Sequence, residues 1–136
     1  MAHEDRPVLA LTPGDPGGVG PEIVAAALAD SALAREVRLV LVDRAGDGPH
    51  PPRPTARGGQ ASLEAFEEAI RLACEGAVDG IVTGPVDKRS LALAGSPFPG
   101  HTALLRERTG NPRLRMMMAA PLETTRWSAC ATPDLE

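Results

Sequence analysis

Short unbroken apolar runs alternate along this chain with longer stretches in which apolar residues recur at helical spacing. The run PVLAL at 7–11, bounded by Pro and Gly, predicts a buried strand. VRLVLV at 37–42 predicts a second buried strand, and VDGIVT at 78–83 is the third strand of the chain. Ile23, Val24, Ala27 and Leu28 form one face of a helix. Pro21 opens it, its fixed φ suiting the first turn, and Glu22 sits near the positive end of the helix dipole. Leu63, Phe66, Ile70 and Ala73 form the face of another helix, with Ser62 as its expected N-cap and Gly76 just past its end. A short helix is expected over Val86–Ala94, stopped by Gly95, and a further one over His101–Thr109, ended by Gly110. RMMMA at 115–119 predicts a fourth strand and Trp127–Ala131 a fifth. Asp43–Gln60 is rich in Pro, Gly and Arg, has no periodicity, and is expected to be an exposed loop.

Strands alternating with helices imply βαβ units. The expected class is α/β, a mostly parallel sheet with flanking helices on both faces. A length of 136 residues suits one domain or part of one. With only Phe66, Phe98 and Trp127 as aromatics, the core must come largely from Ala, Val, Leu, Ile and Met and is expected to be thin. The net charge of −4 and the absence of a basic cluster argue against nucleic acid as a partner. No apolar stretch approaches a membrane span, and the N-terminus lacks the pattern of a secretory signal, so a reducing cytoplasm is the expected location. Cys74 and Cys130 are far apart in apolar contexts and are expected to be small buried hydrophobes. His3, His50 and His101 are not at metal-ligand spacing, and His3 and His50 fall in segments expected to be flexible.

Three motifs could carry chemistry. GDPGGVGPE at 14–22 connects a strand to a helix. Its glycines and the helix N-terminus could present N–H groups to an anion, or could simply make a tight connection. No Gly-Lys-Ser/Thr follows, and the prolines break the Rossmann pattern. TGPVDK at 83–88 ends the third strand, where ligands gather in open α/β sheets. Lys88 there could meet a phosphate or carboxylate, or be a solvated charge. FPGHT at 98–102 places His101 and Thr102 at a helix start, suited to a substrate hydroxyl or phosphate or to proton transfer. The plainer alternative is that Thr102 caps the helix and His101 is exposed.

Together and in order, these motifs resemble the PdxA family. TPGDPGGVGPE at 12–22 is similar to the family's TPGDPAGIGPE, and GIVTGPVDK at 80–88 to its IVTAPINK. The segment from Ala94-Gly95 to FPGHT at 98–102 is similar to its AG…FPGHT, and Thr109-Gly110 with Met116–Met118 to the TG…MML that follows.

The resemblance implies an incomplete fold of the isocitrate/isopropylmalate dehydrogenase type, a partial α/β domain over 1–136 with a shortened loop at 43–60. It implies an oxidoreductase that uses NAD(P) and a divalent metal held by three His, works as a homodimer, and oxidises and decarboxylates 4-hydroxythreonine 4-phosphate in pyridoxal phosphate biosynthesis. Related members act on threonate or erythronate phosphates. The family's substrate-contacting pair falls on His101 and Thr102. No catalytic, cofactor or metal ligand carries over: Pro133 stands where the first metal His belongs, and the later ligands belong to parts of the family this chain does not match. The chain alone is therefore expected to be inactive and poorly soluble. It would be a truncated dehydrogenase, half of a split enzyme, or a non-catalytic phosphate-binding remnant.

Overall fold

The computed structural model describes residues 6–121 and 127–131, with side chains described through Met117. His3 and Pro133 lie outside the described residues, as does the side chain of Cys130. Three strands form a parallel sheet: β1 (Val8–Thr12), β2 (Arg38–Leu41) and β3 (Gly80–Thr83), in the order β2-β1-β3. Leu9 of β1 is level with Leu39 of β2 and with Gly80 of β3. Helices α1 (Gly20–Ala29) and α2 (Leu33–Glu36) link β1 to β2, and α3 (Ala56–Cys74) links β2 to β3. Helices α4 (Lys88–Leu93) and α5 (His101–Thr109) follow.

The α/β class and the parallel sheet stand, with one change. β4 (Met117–Pro121) and β5 (Trp127–Ala131) do not extend the sheet but pair with each other, antiparallel, with Met117 opposite Ala131. Five residues separate them, enough for a hairpin but far short of the crossover a parallel pair requires.

The core lies between the sheet and α3. Ala10 of β1 packs with Val42, Ala65, Ala69 and Val78, and Phe66 and Ile70 pack with Leu104 of α5. Burying a side chain such as Phe66 or Leu104 contributes roughly 1.5–3 kcal/mol. The many Ala residues let α3 approach the sheet closely, which is how so few aromatics suffice. At the far end of α5, Gly110 takes up the left-handed φ of 61° expected of its stop.

Four expectations change. Helix α3 starts at Ala56, inside the stretch read as loop, and its N-cap is Thr55, whose hydroxyl accepts from Gly58 N–H at 2.9 Å. Ser62 is therefore not a cap; it is buried within the helix and donates to the Gly58 carbonyl at 2.8 Å. Gly58 and Gly59 look like helix breakers but serve a packing contact, since a Cβ on Gly59 would collide with the Ser90 carbonyl of α4. Cys74 is exposed, because it is the last residue of α3 and faces away from the sheet's core. β2 is an edge strand with only Leu39 and Val40 half-buried, so it is not buried on both faces. On α1 only Val24 is buried, while Ile23 and Leu28 are 53% and 42% exposed, so the expected apolar face is mostly uncovered. No helix among the described residues is long and apolar enough to cross a membrane.

Candidate functional site

β1 lies between β2 and β3, so the chain leaves β1 for one neighbour and later returns to the other. The loops after β1 and β3 therefore diverge at the C-terminal edge of the sheet, the place where ligands settle in open parallel sheets. A cleft of about 550 Å³ opens there. Asp15, Gly17, Gly18 and Val19 of the first loop form one wall, and the stretch from Pro85 to Arg89 forms another. The third wall is Pro52, Arg53 and Pro54, from the segment that leads into α3.

The two strand-end loops are locked together by backbone. Asp15 N–H donates to the Pro85 carbonyl at 3.0 Å. A Cβ on Gly14 (φ 76°) would collide with that carbonyl, and a Cβ on Gly20 would collide with the Pro13 carbonyl. Those two glycines are required by chain passing chain. Other amides of the loop turn inward: Gly17 N–H donates to Asp15 Oδ1 and Gly18 N–H to the Asp15 carbonyl, each at 2.9 Å. With these N–H groups satisfied, the tight-connection reading of GDPGGVG fits the geometry better than a backbone anion cradle. Asp15 itself is buried, and a Cβ on Gly58 would lie 2.7 Å from its Oδ1. Its carboxylate thus sits at the first turn of α3, where the helix dipole favours a negative charge.

Side-chain charge gives the cleft its character. Arg53, Lys88 and Arg89 face Asp15 and Asp87, a local positive excess in a chain of net charge −4. Arg89 is paired with Asp87 at 2.9 Å, and Asp87 also caps α4 by accepting from Arg89 N–H at 2.8 Å. The hydrogen bonds from Arg89 hold the Asp87 carboxyl below its ordinary value, and the same contact raises Arg89. Lys88 and Arg53 make no ion pair or side-chain hydrogen bond among the described residues. Those two cations are open to a ligand.

His101 is not merely exposed. It is half-buried at the start of α5, its ring edge-on to Phe66 with centroids 4.6 Å apart. Burial lowers its pKa below the ordinary 6.5, so the imidazole is neutral at pH 7. Gly100 is the N-cap of α5 and no side chain caps it, so Thr102 does not fill that role. His101 lines a small apolar recess with Phe98 and Leu104, next to the cleft, and Val86 lines both. The structure therefore joins the first two motifs in one cleft and sets His101 beside it; Thr102 is half-buried and lines neither space.

Among the described residues no three His, Cys, Asp or Glu gather to hold a metal. His101 is packed on Phe66, and His50 is half-buried with Nε2 3.1 Å from the Ala45 carbonyl, which ties it into its loop. For a dinucleotide, the Asp15, Gly17 and Gly18 amides of the glycine-rich loop are already taken by contacts within the protein. The sequence reading missed Arg53, Arg89 and Asp15 as site residues. The signal for Arg53 was the string PPRP at 51–54, a cation stiffened by proline on both sides just before a helix.

The family model for the pyridoxal phosphate biosynthetic protein PdxA matches residues 21–130. The chain belongs to the PdxA family. Proteins named 4-hydroxythreonine-4-phosphate dehydrogenase from Beijerinckia indica and Burkholderia vietnamiensis are each 36% identical to it. The first match covers 88% of this chain and 46% of the relative, the second 93% and 48%. Among solved structures, the enzyme of that name from Burkholderia phymatum superposes with a TM-score of 0.74 at 26% identity, over 85% of this chain and 47% of that one. The Klebsiella pneumoniae enzyme gives 0.72 at 28%, over 89% and 48%. The chain spans about half the length of the curated PdxA relatives it matches. The Beijerinckia match runs over 157 positions yet takes in only 88% of 136 residues, so that relative carries residues inside the matched span that this chain lacks.

Proposed function

We propose that this chain supplies substrate-binding loops of a PdxA-type dehydrogenase acting on a small phosphorylated hydroxy acid, and that the 136 residues alone do not turn over. The carrying observation is the meeting of the GDPGGVG and TGPVDK loops in one cationic cleft at the switch point of the sheet. The substrate class follows from that charge and from the relatives' name, with 4-hydroxythreonine 4-phosphate the first compound to test and threonate or erythronate phosphates the next.

In this reading Lys88 attracts the anionic group. His101, kept neutral by its recess, offers a hydrogen bond to a substrate hydroxyl or phosphate rather than a positive charge, while Thr102, which the family resemblance also assigns to the substrate, lines neither space here and would reach it only in the complete enzyme. NAD(P) would accept the hydride and a divalent metal would polarise the alcohol. The ligands for both come from outside the described residues, which is why the chain alone is read as inactive. A homodimer, a shortened 43–60 connection and a cytoplasmic location belong to the same proposal.

The test is NAD(P)H formation from 4-hydroxythreonine 4-phosphate, measured for this chain alone and for this chain fused to the unmatched part of the Beijerinckia indica relative. No turnover alone and turnover by the fusion are expected, with a loss of about 10²-fold on His101→Ala from mispositioned substrate. Turnover by the 136 residues alone would refute their incompleteness. Fusion activity indifferent to His101→Ala would remove His101 from the site.

A further inference from the structure

The two long crossover helices differ in kind. α3 is finished on its outer side, where Gln60, Glu64 and Arg71 stand in solvent behind the buried Ala65, Ala69 and Ile70. α1 is not. Of its ten residues, GPEIVAAALA, only Glu22 is charged, yet only Gly20 and Val24 are buried. A helix apolar around its whole circumference is an interior helix. The sheet repeats the pattern. Along each strand, successive side chains point to opposite faces. Val8, Ala10 and Ile81 pack on the α3 side. Leu41, Leu11 and Val82 are level with one another and point the other way. Leu11 in the middle is buried, but Leu41 and Val82 on either side of it are 45% and 44% exposed. Strands of a parallel sheet are apolar on both faces because both faces are normally covered. The crossovers from β1 to β2 and from β2 to β3 run in opposite directions across the sheet. Their common right-handed sense puts α1 on the face opposite α3, so the bare helix and the bare strands share one side of the molecule.

From this we infer that this side, carrying Ile23 and Leu28 of α1, Leu33 of α2, and Leu41 and Val82 of the sheet, is a docking surface. Its occupant is a polypeptide carrying the part of the PdxA fold that this chain does not match. The relatives give only 46% and 48% of their length to the part shared with this chain, so each has as much again to lay against it. A membrane does not fit the surface. Ten residues are too few to span one, and α1 has no Lys or Arg to hold an anionic headgroup layer. A second copy of this chain would bring the same half of the family fold and leave the other half missing. Docking here also bears on the cleft. The glycine-rich loop runs straight into α1 through Gly20, which is buried against the Pro13 carbonyl, so covering α1 steadies one wall. The inference rests on the reading that the dehydrogenase is larger than these 136 residues, and it names the surface at which the remainder joins.

The test is co-expression of the full 136-residue chain with the unmatched part of the Beijerinckia indica relative, the latter tagged, beside the covalent fusion of the two. A one-to-one complex should co-purify. Amides of Gly20–Ala29 should exchange hydrogen about tenfold more slowly in the complex and in the fusion than in the free chain. Ile23→Glu combined with Leu28→Lys should weaken the complex about tenfold. Both side chains are exposed in the free chain and the new charges suit the helix dipole, so its thermal midpoint should hardly move. Glu64→Gln, on the outer side of α3, should leave the complex unchanged. No complex, a complex indifferent to the α1 variant, or α1 amides that exchange as fast in the fusion as in the free chain would overturn the inference. So would a homodimer that protects the same amides and excludes the partner, which would make a second copy the occupant. The two readings fail separately. A complex that forms through α1 but gives no NAD(P)H from 4-hydroxythreonine 4-phosphate keeps the docking surface and removes the substrate. Turnover by the fusion with α1 unprotected does the reverse.

Discussion

On the β3 side of the central strand, α3 and α5 bury Phe66, Ile70 and Leu104 against one another and hold His101 edge-on to Phe66. On the β2 side, α1 and α2 leave Ile23, Leu28, Leu33 and Leu41 between 40% and 53% exposed. Apolar side chains that stay in water gain no transfer free energy, so these contribute little to folding. The first region is therefore the framework that fixes the cleft and the recess beside it, and the second is carried along by it. The cleft spans the boundary, because the glycine-rich loop leads into α1 while the 51–55 segment and TGPVDK are seated on α3 and α4.

Substitutions on the two sides should separate widely. Phe66→Ala should cost about 3–5 kcal/mol in urea unfolding, whereas Ile23→Ala should stay within about 0.5 kcal/mol. Equal losses would mean that α1 is as well packed as α3. Gly59→Ala comes next. In an ordinary helix interior that change is worth about 1 kcal/mol of added stability, but here the new methyl meets the Ser90 carbonyl and should destabilise by about 1–3 kcal/mol. A more stable Gly59→Ala protein would contradict the close α3–α4 contact and, with it, the seating of the 51–55 segment. Smaller still in stability terms is Ile23→Ser combined with Leu28→Ser, which should raise the soluble yield while moving the unfolding midpoint little.

The smallest effect is a pH dependence confined to the packed side. Burial depresses the His101 pKa, so the unfolded chain binds the proton more readily than the folded one. The contribution to stability is complete above the ordinary value of 6.5 and is lost as pH falls from there through the lowered folded value. His101→Gln should flatten thermal midpoints across that window. An unchanged slope in the variant would place the titrating group elsewhere.

Legibility in the sequence follows the same division. β1, the face of α3 from Leu63 to Ile70 and the limits of α5 could be read because burial on the packed side imposes period and caps. The start of α3 could not, because Gly58 and Gly59 mark close approach of Asp15 and of α4, which are tertiary neighbours that local pattern does not encode. The exposure of β2 and of α1 was hidden for the converse reason. Their apolar patterns are real, but no described element covers them. In the site, Lys88 and His101 were visible through motifs, whereas Arg53 emerged only once the fold had laid residues 51–55 across Gly17 and Ser90. The glycine-rich loop looked like an anion cradle by composition, and only its hydrogen bonds showed amides spent on Asp15.

The most direct test of the central claim, that the cleft between the two strand-end loops holds a phosphorylated acid, is amide chemical-shift mapping of this chain during titration with 4-hydroxythreonine 4-phosphate. Shifts concentrated at 17–19, Arg53 and 86–89, continuing to His101 and Thr102, are the predicted result. Shifts confined to α1 and α2, or none at millimolar ligand while the chain remains folded, would contradict it.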